Sequence, residues 1–334
     1  MKILITGAGG FLGKKIAASL LSNGEQDIRL HFRQQPPKGL LEELGSSFPS
    51  ATIEPVFANL LNRNQIGNLA NGVDCVIHAA AGMRGAAADM FANSVVGTRN
   101  LLNSVGDQNV KRVVLISSFS VYRTVDLKTG SLVTEETELE PDGTEKGSYG
   151  YAKTRQETLF RELQAKHGFE SVILRPGVIY GPGSSALSPR VGIRALGTFF
   201  SLGGSAVLPL TYVDNCADAV ARAATHAPKN SVFNVVDDDL PTCNQYLREY
   251  RQRVAPTRTL PIPYWVLLIG SRALVRYHRE AKGQLPAIFT PYVVRSMYRR
   301  FQYSNAALKK IGWHPEVATS QAMKISFDYW KKHL

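Results

Sequence analysis

The chain has 334 residues, 44% of them hydrophobic and 20% charged, a balance that excludes a fibrous or disordered chain and leaves material for a sizeable core. Three cysteines (Cys75, Cys216, Cys243) stand far apart, which excludes a disulfide framework and a cysteine metal site and makes a reducing, cytoplasmic setting the expectation. The formal charge of +12 is concentrated: residues 248–310 carry thirteen Lys and Arg against Glu249 and Glu280, a net of +11.

Taken in chain order, short β-branched runs alternate with segments of helical spacing. Strands are expected at 2–6 (KILIT), 27–32 (DIRLHF), 52–57 (TIEPVF), 74–80 (DCVIHAA), 112–118 (RVVLISS) and 171–176 (SVILRP). Helices are expected at 11–22, 64–71, 89–105 and 149–167. Unbroken apolar runs of strand length are what parallel strands show when helices cover both sheet faces. The alternation predicts an α/β fold with a doubly wound parallel sheet. The opening apolar run passes straight into a glycine turn, so no secretory leader is expected. After Pro176 the pattern turns irregular and richer in Gly and Pro. A smaller, mostly helical substrate-binding region is therefore expected over 181–334, following a dinucleotide domain over 1–180. The 205–240 stretch partly returns to the main sheet through a strand at 231–236.

The first strand runs into Gly7-Ala8-Gly9-Gly10-Phe11-Leu12-Gly13 and then a helix. In such a turn Gly7 permits the sharp bend, Gly10 lets backbone approach a pyrophosphate, and Gly13 lets helix and strand pack closely. The helix N-terminus adds free N–H donors and the positive end of its dipole. A Rossmann-type dinucleotide site follows. At the end of the second strand, where an acid would accept from an NAD ribose, the chain reads RLHFRQQ. The fork of Arg33 suits a 2′-phosphate and Lys14 adds charge, so NADP(H) is the expected cofactor, with NAD(H) the alternative.

Tyr149 and Lys153 stand four apart on an expected helix, on one face and a turn from each other. An ammonium beside a phenol favours phenolate, so a Tyr149 more acidic than an ordinary tyrosine is expected, able to exchange a proton with an alcohol or ketone. Tyr151 lacks such a partner and reads as packing.

TGAGGFLG, HAAA (78–81), NSVVGTRNLL (93–102), ISSFSVY (116–122), YGYAK (149–153), LRPGVIYGPG (174–183) and YVDNCADAV (212–220) occur in that order. Together they resemble the extended short-chain dehydrogenase/reductase superfamily in its NAD-dependent epimerase/dehydratase branch, over residues 1–240. The resemblance implies Tyr149 as general acid/base, Lys153 on the nicotinamide ribose, and Ser118 as hydrogen-bonding partner of the substrate oxygen. It also implies Asn93 beside the active site, Ala79, Ala80 and Ala81 lining the cofactor cleft, Pro176 introducing the loop over the nicotinamide, and Asn59 with Leu60 where many members carry Asp for adenine. Members often dimerise through helices flanking the site, here 89–105 and 149–167.

Departures from the family narrow the reaction. Phe119 and Ser120 replace the acidic pair of sugar-nucleotide dehydratases, and GGSAVLPLTYVDN lacks the diphosphate-clamping Arg found before the YVD motif, a role left to Arg190, Arg194 or the basic segment. LPLTYVDNCADAV also looks like branches acting on sterol-like or other apolar substrates. The leading expectation is a Ser-Tyr-Lys oxidoreductase reducing a keto group, or oxidising a hydroxyl, on a sugar-derived or apolar lipid-like small molecule. The alternatives are a nucleotide-sugar epimerase using transient oxidation, and a non-enzymatic dinucleotide sensor. The acids between Tyr122 and Tyr149 read as a solvated loop. Within 261–300, PIPYWVLLIGSRALVRYHREAK is too short in its apolar core to span a bilayer. It reads either as an interfacial amphipathic helix touching a membrane or as a helix capping the substrate pocket. No nucleic-acid motif accompanies the charge.

Overall fold

The computed structural model describes residues 1–83, 85–280 and 289–333. Residues 281–288 of the basic segment, Lys282 among them, lie outside the described residues. Seven strands form one parallel sheet: β1 (Lys2–Thr6), β2 (Asp27–Phe32), β3 (Thr52–Phe57), β4 (Cys75–His78), β5 (Arg112–Ile116), β6 (Glu170–Pro176) and β7 (Ser231–Val235). Their order is β7-β6-β5-β4-β1-β2-β3, with every neighbouring pair parallel. The expected doubly wound α/β sheet is thus present, and the 231–236 segment does return to it through β7.

Four helices cover the sheet: α1 (Gly13–Ser22), α2 (Gly97–Asp107), α3 (Gly147–His167) and α4 (Val213–His226). Successive strand residues point to opposite faces, and both faces are dry. Ile3 and Ile5 join Val114 and Ile116 in a core with Leu20 of α1 and Val220 of α4. Leu4, Val113 and Leu115 face the other way, onto Leu101 of α2 and Phe160 of α3. That two-sided burial is why β1 and β4 carry no polar alternation.

The expected helix over 89–105 is broken. Ala87–Phe91 is α-helical, Ala92–Val96 forms one π turn, and α2 follows. The Thr98 hydroxyl donates to the Ser94 carbonyl inside this turn, and such widened turns cluster at functional positions. Asn93 sits in it.

Beyond β6 lie α5 (Cys243–Arg253), α6 (Tyr264–Glu280), α7 (Pro291–Tyr298) and α8 (Thr319–His333), with three small sheets. Helix α5 begins at a capping box in which Thr242 and Gln245 satisfy each other's backbone N–H groups. Two long-range contacts fasten this region to the N-terminal part of the chain. Gln302–Tyr303 runs beside Leu132–Val133, and Phe327 and Trp330 of α8 join the core around α1 and α4.

The sheet order reverses between β1 and β4, so their following loops part and leave a crevice at the carboxyl ends of the strands. The loops after β1, β4 and β5 and the start of α3 all open there.

Candidate active site

Gly7 has φ +73°, and a Cβ there would stand 2.9 Å from the Ala80 nitrogen. A Cβ on Gly13 would collide with the Gly7 carbonyl and lie 2.9 Å from the Ala8 Cα. The loop after β1 is therefore pressed against both the β4 loop and the first turn of α1, which only bare backbone allows. Leu12 precedes α1 with no side-chain cap, and the Lys14 N–H donates to the Gly10 carbonyl and the Lys15 N–H to the Leu12 carbonyl, so the glycine loop itself closes the first turn of the helix. This cradle fits a dinucleotide pyrophosphate.

Arg33 follows β2 directly, is exposed, and donates from Nη1 to Asn93 Oδ1 at 3.2 Å. The π turn and the end of β2 thus meet at the rim of the cradle. Asn59 spends its Oδ1 on the Leu61 N–H (3.0 Å), which leaves only its amide N–H groups for a base. Leu60 buries its side chain in the core, and its carbonyl accepts from Asn100 Nδ2 at 2.9 Å. Ala79, Ala80 and Ala81 follow β4, half-buried, with the Ala79 and Ala80 N–H groups turned onto Thr6. Pro176 is buried at the end of β6, paired with Val235.

Ser118 ends the β5 segment in extended backbone (φ −166°) and caps a short 3₁₀ turn, accepting from the Ser120 N–H at 3.1 Å. Tyr149, half-buried in the first turn of α3, lies beside the Ser118 side chain. Burial pushes the Tyr149 phenol above its ordinary pKa, and the Ser118 contact only partly opposes this. This corrects the expectation of an acidified tyrosine. Lys153 Nζ is buried and donates to the Ile116 carbonyl (2.8 Å) and Gln156 Oε1 (2.9 Å), and does not contribute to the Tyr149 shift. Burial depresses Lys153 to about 8, against the pull of Glu157. Tyr151 packs as expected, stacked on Phe91 at 5.7 Å.

Two buried networks beneath the pair were not found from sequence. Gln156 Nε2 donates to Thr98 Oγ1 at 2.9 Å, and His78 Nε2 meets the same oxygen at 2.8 Å. Because Thr98 spends its one proton on Ser94, it accepts from both, so His78 carries its proton on Nε2 and accepts from Thr6 on Nδ1 (2.7 Å). Burial holds His78 neutral, with its pKa down to about 3. The chain Lys153–Gln156–Thr98–His78–Thr6 ties the lysine to the strand that carries the glycine loop. Polar residues on the buried face of a helix were the available signal.

The second network is ionic. Glu157 accepts from Ser117 Oγ at 2.6 Å and from Arg175 Nη2 at 2.5 Å, and Arg175 Nη1 donates to Tyr122 at 2.9 Å. The Arg175 guanidinium lies 4.7 Å from the centre of the Tyr122 ring, and Tyr122 donates to Asn234 Oδ1 at 2.5 Å. These groups seat β5, its Ser117–Ser118 end, α3, β6 and β7 against one another. Phe119, next to Ser118, is buried in a small core with Tyr122, Val133 and Phe301 and stacks 5.4 Å from Tyr303. Tyr303 also lines an open cavity of about 500 Å³ with Leu240 and Asp237–Asp239, but Ser118, Tyr149 and Lys153 do not line it.

A model of the NAD-dependent epimerase/dehydratase family matches residues 3–235. Among curated relatives, a 2-alkyl-3-oxoalkanoate reductase of Stenotrophomonas maltophilia is 31% identical over 65% of this chain and 63% of its own length. A decarboxylating sterol-4-alpha-carboxylate 3-dehydrogenase of Dictyostelium discoideum is 22% identical over 96% of this chain and 98% of its own. The solved UDP-glucuronic acid 4-epimerase of Bacillus cereus, in complex with NAD, superposes with a TM-score of 0.71 at 21% identity, covering 100% of this chain and 99% of that one.

Glu157→Gln removes the carboxylate that balances Arg175 and leaves a buried guanidinium without its counter-ion. Urea unfolding should show a loss of about 3–5 kcal/mol relative to the parent chain. A change within 0.5 kcal/mol, the usual size for a surface site, would mean that the pair does not hold this end of the sheet.

Proposed function

The chain belongs to the NAD-dependent epimerase/dehydratase family and is an NAD(P)-dependent enzyme of the extended short-chain dehydrogenase/reductase type, and within that class we propose an NADP(H)-preferring reductase of apolar keto compounds. The observation that carries the reading is the placement of Tyr149 beside the Ser118 side chain, one turn before the buried Lys153, and the direction of reduction is supported by the reductase relative. When a ketone is reduced, a phenol so placed gives its proton to the developing alkoxide.

In this reading Ser118 orients the ketone oxygen and Tyr149 gives it the proton. Lys153, fixed by Ile116 and Gln156, keeps one further N–H donor for a ribose and a positive charge near the reacting oxygen. The bound dinucleotide supplies the hydride. The Gly7–Gly13 loop, Ala79–Ala81, Asn93 and Lys153 would hold it, with Arg33 beside the adenosine ribose. Phe119 and Ser120 offer no carboxylate next to Ser118, so the site lacks an acid–base pair for elimination of water. The apolar substrate class is supported by the names of the reductase and sterol dehydrogenase relatives.

Incubation with NADPH and a panel of alkyl and sterol ketones and keto-sugars tests the reaction. Net NADPH consumption is expected, and Tyr149→Phe should lower it by roughly 10²–10⁴-fold while leaving NADPH binding intact. Isomerised product without consumption would mean an epimerase, and binding without turnover a sensor.

Arg33→Ala should weaken NADPH binding by about 10- to 100-fold, the loss of charge-assisted hydrogen bonds, and leave NADH affinity nearly unchanged. A parent enzyme that prefers NADH in calorimetry would refute the role given to Arg33.

The pH dependence follows from Lys153. Its ammonium persists below about 8 and is lost above, so kcat should fall as pH rises through 8. Glu157 favours the charged lysine, so Glu157→Gln should move that limb to lower pH. A profile flat to pH 10 would remove the charged lysine from the mechanism.

A further inference from the structure

Helix α6 is apolar on two faces. Tyr264, Leu267 and Leu268 pack with Leu202, Val294 and Tyr298. Opposite them Trp265 is 65% exposed, Ile269 57% and Tyr277 57%, with Val266 and Leu274 also in water. Five of the thirteen large apolar side chains exposed among the described residues therefore fall in one 17-residue helix.

The neighbouring hairpin extends this surface. Strands Gly192–Ala195 and Thr198–Ser201 pack Ile193 and Phe200 into the same cluster as α6. Leu196 at their turn is 97% exposed and has φ +49°. The left-handed region disfavours a leucine, and water disfavours its side chain. Asn or Gly would serve the turn better, and no packing within the described residues accounts for the leucine.

Charge selects the occupant. Arg194, Arg258 and Arg272 are exposed on these same elements or the segment joining them, and no Asp or Glu occurs from Val254 to Arg279. Glu249, the nearest acid before that stretch, is paired with Arg253 at 3.6 Å. An apolar face edged by cations and built from segments without acids matches the boundary of an anionic bilayer, with aromatic rings at headgroup depth, aliphatic groups below and guanidinium groups on phosphate. No described helix is long and apolar enough to cross a membrane, so the contact lies in the interface plane.

We propose that α6 and the Leu196 turn dock the enzyme on an anionic phospholipid surface, with Trp265, Ile269 and Leu196 inserting and Arg194, Arg258 and Arg272 binding headgroup phosphates. Docking stands on exposure and charge alone. Delivery of an apolar ketone from that surface rests on the reductase reading.

The full chain is sedimented with phosphatidylcholine vesicles with and without phosphatidylserine, at low and high salt. Binding is expected only with phosphatidylserine, and weaker at high salt. A triple variant (Leu196→Asn, Trp265→Ser, Ile269→Ser) should bind roughly tenfold or more weakly. Its circular dichroism and NADPH affinity should match the parent, which separates lost docking from lost folding. Arg194→Glu with Arg258→Glu should abolish the phosphatidylserine dependence. No sedimentation at low salt, or equal sedimentation of the triple variant, overturns the proposal. So does light scattering in which the triple variant turns a dimer into a monomer while the parent ignores vesicles, which would make the face a contact between two copies. NADPH turnover of a water-soluble ketone without vesicles reports on the reductase reading separately, whichever way docking falls.

Discussion

Three charges buried at the carboxyl end of the sheet constrain everything around them. Lys153, Glu157 and Arg175 are each less than about a twentieth exposed. An isolated charge at such depth costs several kcal/mol, so each must find partners of opposite sign or good acceptors. Glu157 takes Arg175 and the Ser117 hydroxyl, and Lys153 takes a carbonyl and an amide oxygen. Those partners lie on β5, α3 and β6, so satisfying the charges also sets the angle at which α3 enters the sheet end. Tyr149, one turn before Lys153, is placed beside Ser118 by the same requirement. The geometry of the candidate site and the charge compensation are one arrangement here.

The compensation is asymmetric, and this affects the chemistry. Arg175 has a fork-shaped match in Glu157 and an aromatic face in Tyr122, so its charge is secured. Lys153 has only neutral acceptors and a more distant carboxylate, so burial wins and its pKa falls to about 8. A lysine poised there is charged at neutral pH and sensitive to small changes in its surroundings. The neutral chain through Gln156, Thr98 and His78 suits that state, because it orients the ammonium without adding a charge of its own.

Much of the fold was legible from the sequence because parallel strands buried on both faces write themselves as unbroken apolar runs. β1, β2 and β3 have the expected bounds, and the glycine spacing identified the loop that Gly7 and Gly13 press into place. The π turn at Ala92–Val96 was not legible, since the apolar period does not register one widened turn inside a helical stretch. Nor was the pairing of Leu132–Val133 with Gln302–Tyr303, two short segments far apart in the chain with no local signal for each other. At the site, residue types and spacing were readable, but the direction of the Tyr149 shift was not. A four-residue interval places Lys153 near Tyr149 without saying where the ammonium points, and here it points at Ile116 and Gln156.

That orientation sets the two titratable groups apart. Burial favours the protonated phenol at Tyr149, and the Ser118 side chain only partly opposes it. Burial also lowers Lys153, to about 8, while Glu157 pulls the other way. A phenol that gives a proton to an alkoxide in one direction takes it back in the other, so these shifts act on the pH range over which a proton can move. The polar residues on the inner face of α3 therefore bear on that range as well as on stability, because they decide how much charge the buried end of the helix can hold.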